Sequence, residues 1–416
     1  MWFYVQRVLI PYEKADAVAH QRPRGNLSDL YPRWLGAREL LLRHRNPYSD
    51  DITAEIQQGY YGRALDPSRP DDPRDRQGFA YPVYVVFLLA PLVGFAFASV
   101  HIFFYWLLVA FTASSVWLWL CAMRWRLPPM AVAICIALTL GCFPAVQGIK
   151  LQQLSLLVAA LLASAAACAA SGFLFLGGVL LALGTIKPQL AWPLVAWFLA
   201  WAVTDWRRRR RLAFGFGLAM ALLLAGAEVV LPGWWRMFAE GLRQYHRYTQ
   251  NQSVLDLLVP WGFSGKMLAA VAVLACALVL WKLRRQPADS SEFGRAVALV
   301  MALTVLVVPM YAPYNQVLLL PAILVLVRDR TFFTARSRAA RFGFLAGVFA
   351  VAWQWIASLG LSAAYLLGSQ SFAFKGWWWP FFATFALPIF MFALIFFDVR
   401  GSQLRSSPLP RDGHAI

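Results

Sequence analysis

The sequence predicts an all-α polytopic membrane protein with about 11–12 transmembrane helices, each needing roughly 20 residues to cross. Three observations carry this. Of 416 residues, 60% are hydrophobic and only 14% charged, where a soluble chain carries about a quarter charged. The apolar residues gather in runs near 83–98, 101–122, 129–146, 151–170, 173–186, 189–204, 211–231, 267–282, 296–309, 315–327, 343–367 and 378–397. The basic residues sit in short loops between those runs, as orientation signals do.

Charge then divides the chain. Residues 1–80 hold 11 of the 20 Asp and Glu but only 12 of the 38 Lys and Arg, so the net charge of +18 belongs to the membrane part. That placement argues against nucleic acid as a partner. We read residues 1–80 as an outer loop with interfacial helices, 81–398 as the helical bundle and 399–416 as a cytoplasmic tail. Met1 to Ile10 is too short to span. A long outer loop ordinarily follows a first span, so the reading expects a missing transmembrane helix ahead of residue 1; the other reading is an N-terminus that starts in the interface. Cys121, Cys135, Cys142, Cys168 and Cys276 all fall in apolar runs without metal-ligand spacing, as buried, inert thiols do.

Within the first loop, Ser28 and Asp29 are helix-start residues and Pro32 suits the first turn. From Trp34 to Leu42 apolar residues alternate with Arg33, Arg38, Glu39 and Arg43, which predicts a short helix lying in the membrane interface. Asn46-Pro47-Tyr48 ends it. Asp50 and Asp51 are further candidate catalytic carboxylates, though a turn is their more natural use.

The later loops sort into two kinds. Arg124/Arg126, Arg207 to Arg211, Lys282 to Arg285, Arg328 to Arg341 and Arg400 onward are basic and belong inside. Between them lie loops rich in Gln, Asn, Tyr and Trp, around Gln147 to Gln153, Ile186 to Gln189, Pro232 to Lys266, Pro309 to Gln316 and Gly368 to Trp378. These face outside with the first loop. The alternation breaks once: residues 80–123 look like two crossings, yet an outer first loop and an inner Arg124 need an odd number. Either the segment after Tyr81-Pro82 is re-entrant or Arg124 breaks the charge rule.

Polar residues on one face of an apolar bundle suggest chemistry at the lipid–water boundary. Transferring a sugar from a lipid phosphate needs a carboxylate to take the acceptor's proton, cations to steady the departing phosphate and an apolar groove for the lipid. Asp29 is the candidate base. Lys150, Lys187, Arg236, Arg243 and Arg247 are candidate cations, since isolated charges at span edges are costly and usually paired. Each has a plainer use: Asp29 as a helix cap, Lys150 and Lys187 as snorkelling side chains, Trp234-Trp235 and Trp377-Trp378-Trp379 as interfacial belts.

Ser28-Asp29-Leu30-Tyr31 with Trp34, Asn46-Pro47-Tyr48, Tyr81-Pro82, Leu151-Gln152-Gln153-Leu154-Ser155, Ile186-Lys187-Pro188 and Asn251-Gln252-Ser253 together resemble glycosyltransferase family 87, polyprenyl-phosphate-mannose-dependent mannosyltransferases with the C-type membrane fold. The resemblance implies inverting transfer from a polyprenyl-phosphate sugar to a lipid or glycan acceptor on the outer face of the inner or plasma membrane. Asp29 would be the base, and no cofactor or metal is expected. Substrate contacts are expected among Tyr31, Trp34, Tyr48, Tyr81, Lys150, Gln153, Lys187, Arg243, His246, Asn251, Gln252, Tyr314 and Asn315. Two departures stand out. A histidine common after Pro309 in the family is replaced, with Asn315 in its place, and the glycine of a Gly-Gln pair is replaced by Leu151 or Gln152. A transporter or lipid flippase is the competing class; it predicts internal repeats and helices broken near mid-membrane, and no repeat is evident.

Overall fold

The computed structural model describes residues 1–21, 23, 28–66, 68–69, 72–73, 75–249, 252–259, 263–309 and 311–406, with 245–249 and 402–406 described by backbone alone. Among these residues every regular element is helical. Five helices are long and apolar enough to cross a membrane: Phe97–Ala122, Trp206–Val230, Ser264–Leu283, Arg338–Leu366 and one within Gln370–Gly401. Pro129–Leu140 and Phe143–Lys150, bent by 59° at their break, make a sixth span if taken together.

The other apolar runs form shorter helices, among them Leu154–Ala170, Leu174–Gly184, Pro188–Thr204 and Ser291–Val307. Two of these are the most enclosed elements of the bundle. Leu154–Ala170 buries nearly every residue, and Ser291–Val307 is buried from Ala296 to Leu306. The long helices surround them and keep apolar side chains such as Leu222, Val271 and Phe349 exposed. A helix that is apolar all round is explained by lipid on its outer face and protein on its inner face.

Contacts between loops define the two ends of the bundle. At one end Arg124 donates to the Ala170 carbonyl at 2.5 Å. Arg209 donates to the carbonyls of Trp201, Arg284, Arg285 and Gln286. Arg295 pairs with Asp329 at 2.7 Å and Asp398 at 3.0 Å. The basic loops therefore share one end. At the other end, residues 28–29 meet 151–153, residue 84 meets 185 and residue 311 meets 252.

The odd crossing count has a structural origin. The run 83–98 does not form a span. It folds as Val85–Leu89 followed by a 3₁₀ turn, Ala90–Leu92, where Pro91 interrupts the helix. Trp34 Nε1 donates to the Leu92 carbonyl at 3.3 Å and Arg38 to that of Val93 at 3.2 Å. These bonds hold the segment against the first loop, leaving Phe97–Ala122 as one crossing and restoring the alternation.

The first loop folds as two helices, Leu30–Arg43 and Asp50–Tyr61. The apolar stripe of the first, Leu30, Trp34, Ala37 and Leu40, is buried against protein, while Leu42 is exposed. Asp50 and Asp51 lie in the first turn of the second helix, behind the Ser49 cap, rather than in a free turn. Buried Glu39 joins the two helices by pairing with Arg45, which also pairs with Glu55 at 2.6 Å. Ahead of them, Trp2–Tyr4, a π-helical turn Val5–Leu9 and Ile10–Ala19 run on as one helix. Its Tyr4, Val5, Val8 and Leu9 pack with Phe143, Val146 and Leu361.

Candidate active site

Asp29 stands at the head of the helix Leu30–Arg43 but its side chain makes no capping hydrogen bond. Its backbone N–H is fixed instead by the Leu151 carbonyl at 2.9 Å. The turn supplying that carbonyl links Phe143–Lys150 to Leu154–Ala170, and it turns through Gln152 at φ +52°. This left-handed conformation favours glycine. Gln152 accepts from Ser28 Oγ and donates to the His101 carbonyl, both at 2.5 Å, clamping the residue before Asp29.

The Asp29 carboxylate is free to act elsewhere. Tyr60 Oη donates to Oδ1 at 3.2 Å, and Gln153 Nε2 donates to Oδ2. The same Gln153 amide accepts from Lys187 Nζ at 3.2 Å through Oε1. Lys187 is buried and also donates to Ser155 Oγ at 2.6 Å, and Ser155 donates to Asn315 Oδ1 at 2.8 Å. Its ammonium lies 5.0 Å from the centre of the Tyr314 ring. Burial, helped by the charge of Arg33 and opposed by that of Asp29, lowers the Lys187 ammonium to about 7.

Asp29, Gln153, Lys187 and Tyr314 border one cavity of about 280 Å³ at the polar-loop end. Asp29, Arg33, Asp75, Tyr81, Gln153, Lys187 and Tyr314 line it, with Ile186, Pro309, Phe238 and Leu242 as its apolar wall. Arg33 donates to the Asp29 carbonyl at 2.7 Å and lies over the Tyr81 ring at 4.8 Å. Asp75 opens on the cavity mouth and accepts from the Gln77 backbone and side chain, each at 3.0 Å. The protein around it raises its carboxyl above the ordinary value, with Asp29's charge acting in the same sense.

The expected site residues therefore separate. Asp29, Tyr81, Gln153, Lys187 and Tyr314 meet at the cavity. Asn315 lies behind Lys187, through Ser155. Tyr31 and Trp34 pack with Phe97, and Lys150 pairs with Gln6, all away from the cavity. Tyr48 donates to the Tyr81 carbonyl at 2.6 Å, its ring bordering a second chamber. Arg243 is exposed and pairs with Glu240, and Gln252 holds Tyr311 through its carbonyl. Asn251 and the side chains of His246 and Arg247 lie outside the described residues. Sequence reasoning missed Arg33, Tyr60, Asp75 and Ser155. Two of these carried a signal: Arg33, one helical turn beyond Asp29, and Ser155, which closes the Gln152-Gln153 motif. Among the described residues no three His, Cys, Asp or Glu side chains gather as a metal site would need.

The sequence profile of glycosyltransferase family 87 matches residues 79–309. No curated protein and no solved structure matches the chain. The matched stretch contains Tyr81, Gln153 and Lys187, while Asp29 and Tyr314 lie outside it and join them only through the fold. Since the match covers more than half of a polytopic helical chain, the protein belongs to glycosyltransferase family 87 and is a membrane glycosyltransferase.

Proposed function

We propose that this glycosyltransferase moves a hexose, mannose by preference, from a polyprenyl-phosphate donor to an acceptor hydroxyl at the outer face of the membrane, with inversion and with Asp29 as general base. One observation carries the reading: a carboxylate and a buried lysine, joined by the two ends of the Gln153 amide, face one cavity. Asp29 takes the proton from the acceptor oxygen as that oxygen attacks the anomeric carbon; the bond to the donor phosphate breaks on the opposite side, and Lys187 and Arg33 meet the charge that develops there. The hydrogen bonds from Tyr60 and Gln153 leave the carboxylate further lone pairs for the acceptor hydroxyl. Ile186, Pro309, Phe238 and Leu242 supply the apolar wall beside which the lipid would run.

A lipid monophosphate can be met by lysine and arginine alone, so the reaction needs no metal. The test is incubation of membranes holding the protein with labelled polyprenyl-phosphate mannose, with and without EDTA. We expect a new glycosidic product in both. Donor uptake without product would favour a transporter, and EDTA abolition reversed by a divalent ion would replace the two cations with a metal.

A further inference from the structure

The cavity that holds Asp29 has a neighbour. A second chamber of about 480 Å³ lies across a partition made of two elements. One is the segment from Asp75 to Ala80: Asp75 and Gln77 face the first cavity, Arg76 and Phe79 face the second, and Gly78 and Ala80 border both. The other is the helix Trp234–Thr249, which turns Phe238 and Leu242 to the first cavity and Met237, Glu240, Gly241 and Gln244 to the second. The left-handed turn at Gln77, φ +52°, and the 3.6-residue period of the helix place two chemistries on two sides of one wall.

The two sides differ in character. The first cavity receives the apolar face of the helix, as a lipid-linked donor requires. The second is bordered by half-buried Tyr48, whose ring is held edge to face at 5.3 Å by that of buried Phe79. Around them stand Asp50, Arg76 and Gln244, whose side chains make no hydrogen bond among the described residues. Their charges are of both signs, which suits neither a phosphate nor a lipid chain. An aromatic ring beside unengaged donors and acceptors suits a sugar, which offers apolar C–H faces and hydroxyl edges.

We propose that the second chamber is the acceptor subsite, and that it takes a sugar ring next to the one whose hydroxyl reaches Asp29. The acceptor is then a carbohydrate of at least two rings that reaches from one chamber to the other beside Gly78 and Ala80, which border both. The assignment to the acceptor rests on Asp29 being the base; the chamber's affinity for sugar does not.

Gly241 provides the probe. A Cβ added there meets nothing within 4 Å, so Gly241→Trp fills the chamber without disturbing the helix. Binding of methyl hexosides and of the matching α- and β-linked methyl dihexosides to the purified full chain in detergent is followed by saturation-transfer NMR. At least one dihexoside is expected to bind about tenfold more tightly than its monohexoside, the worth of one or two added hydrogen bonds to charged groups. Gly241→Trp and, independently, Arg76→Ala are expected to abolish that gain while keeping the wild-type melting temperature. Absence of dihexoside binding to the wild type, or a gain that survives both substitutions, overturns the proposal. Since no donor is present, a protein that binds dihexoside yet transfers nothing from labelled donor would sink the proposed function and leave the chamber standing.

Discussion

Asp29 precedes its helix without capping it, and this decides what its substitution reports. Asn is as good a cap as Asp, but capping is not the task of this side chain. Asp29→Asn should leave the fold and donor binding intact and lower kcat by about 10²–10⁴, the range for loss of a general base. Wild-type turnover in a well-folded variant would move the base to Asp75, the other carboxylate at the cavity. Lys187 gives a second prediction, read from pH. A lysine lowered to about 7 loses its proton as pH rises through that value. The ammonium is the form that meets a phosphate, so kcat/KM for the donor should fall above about pH 7, while kcat should turn down only at higher pH, because bound phosphate favours the charged lysine. Lys187→Met should lower kcat/KM below that pH and remove the limb. A kcat/KM that stays flat from about pH 6 to 9 would exclude Lys187 from donor binding.

At the level of elements, helix Leu174–Gly184 meets helix Trp206–Val230 by direct backbone approach. A Cβ at Gly178 would lie 2.1 Å from the Leu212 carbonyl oxygen, and one at Gly215 would lie 2.1 Å from that of Phe175. Small residues allow such approach, and neither backbone can yield as a side-chain tip can. Gly217, two residues further on the same helix, faces open space. Gly178→Ala and Gly215→Ala should each destabilise by about 1–3 kcal/mol through overpacking. Gly217→Ala should be neutral or stabilise by up to about 1 kcal/mol through helix propensity. Melting temperatures in detergent measure all three; equal effects would mean that the helices are not packed at this distance. The pair matters to the site because Leu174–Gly184 leads directly into the turn that presents Lys187.

Over the whole molecule, the separation of polar and basic loops to opposite ends predicts their compartments. Ala54 is exposed on the first-loop helices and Arg208 is exposed at the basic end. In a chain with its five cysteines replaced, a membrane-impermeant thiol reagent added outside intact cells should label Ala54→Cys, and should reach Arg208→Cys only after lysis. Labelling in the reverse order would invert the molecule, and labelling of both from outside would break the alternation. The segment Val85–Leu92 is decisive for this arrangement, since a full crossing there would carry the first loop to the basic end.

What the sequence determines by itself is what local composition controls. Apolar runs, basic loops and the helix-start pattern around Asp29 are read from neighbouring residues, because partition into lipid and backbone capping act over one or two turns. Even there, the run 83–98 was legible only as one of two alternatives: its composition suits lipid, but Pro91 and bonds from Trp34 and Arg38 fold it back on protein. Tertiary structure decides the cavity. Asp29, Gln153 and Lys187 come from three distant segments, and the Gln153 amide links the carboxylate of one to the ammonium of another. Tyr60, Asp75 and Arg33 reach the same place from other turns of the first loop. Tyr60 and Asp75 stand in no pattern, because a side chain that completes a site across a packed interface needs only the right position. That position is set by how helices meet, as at Gly178 and Gly215, and no short stretch of sequence records it.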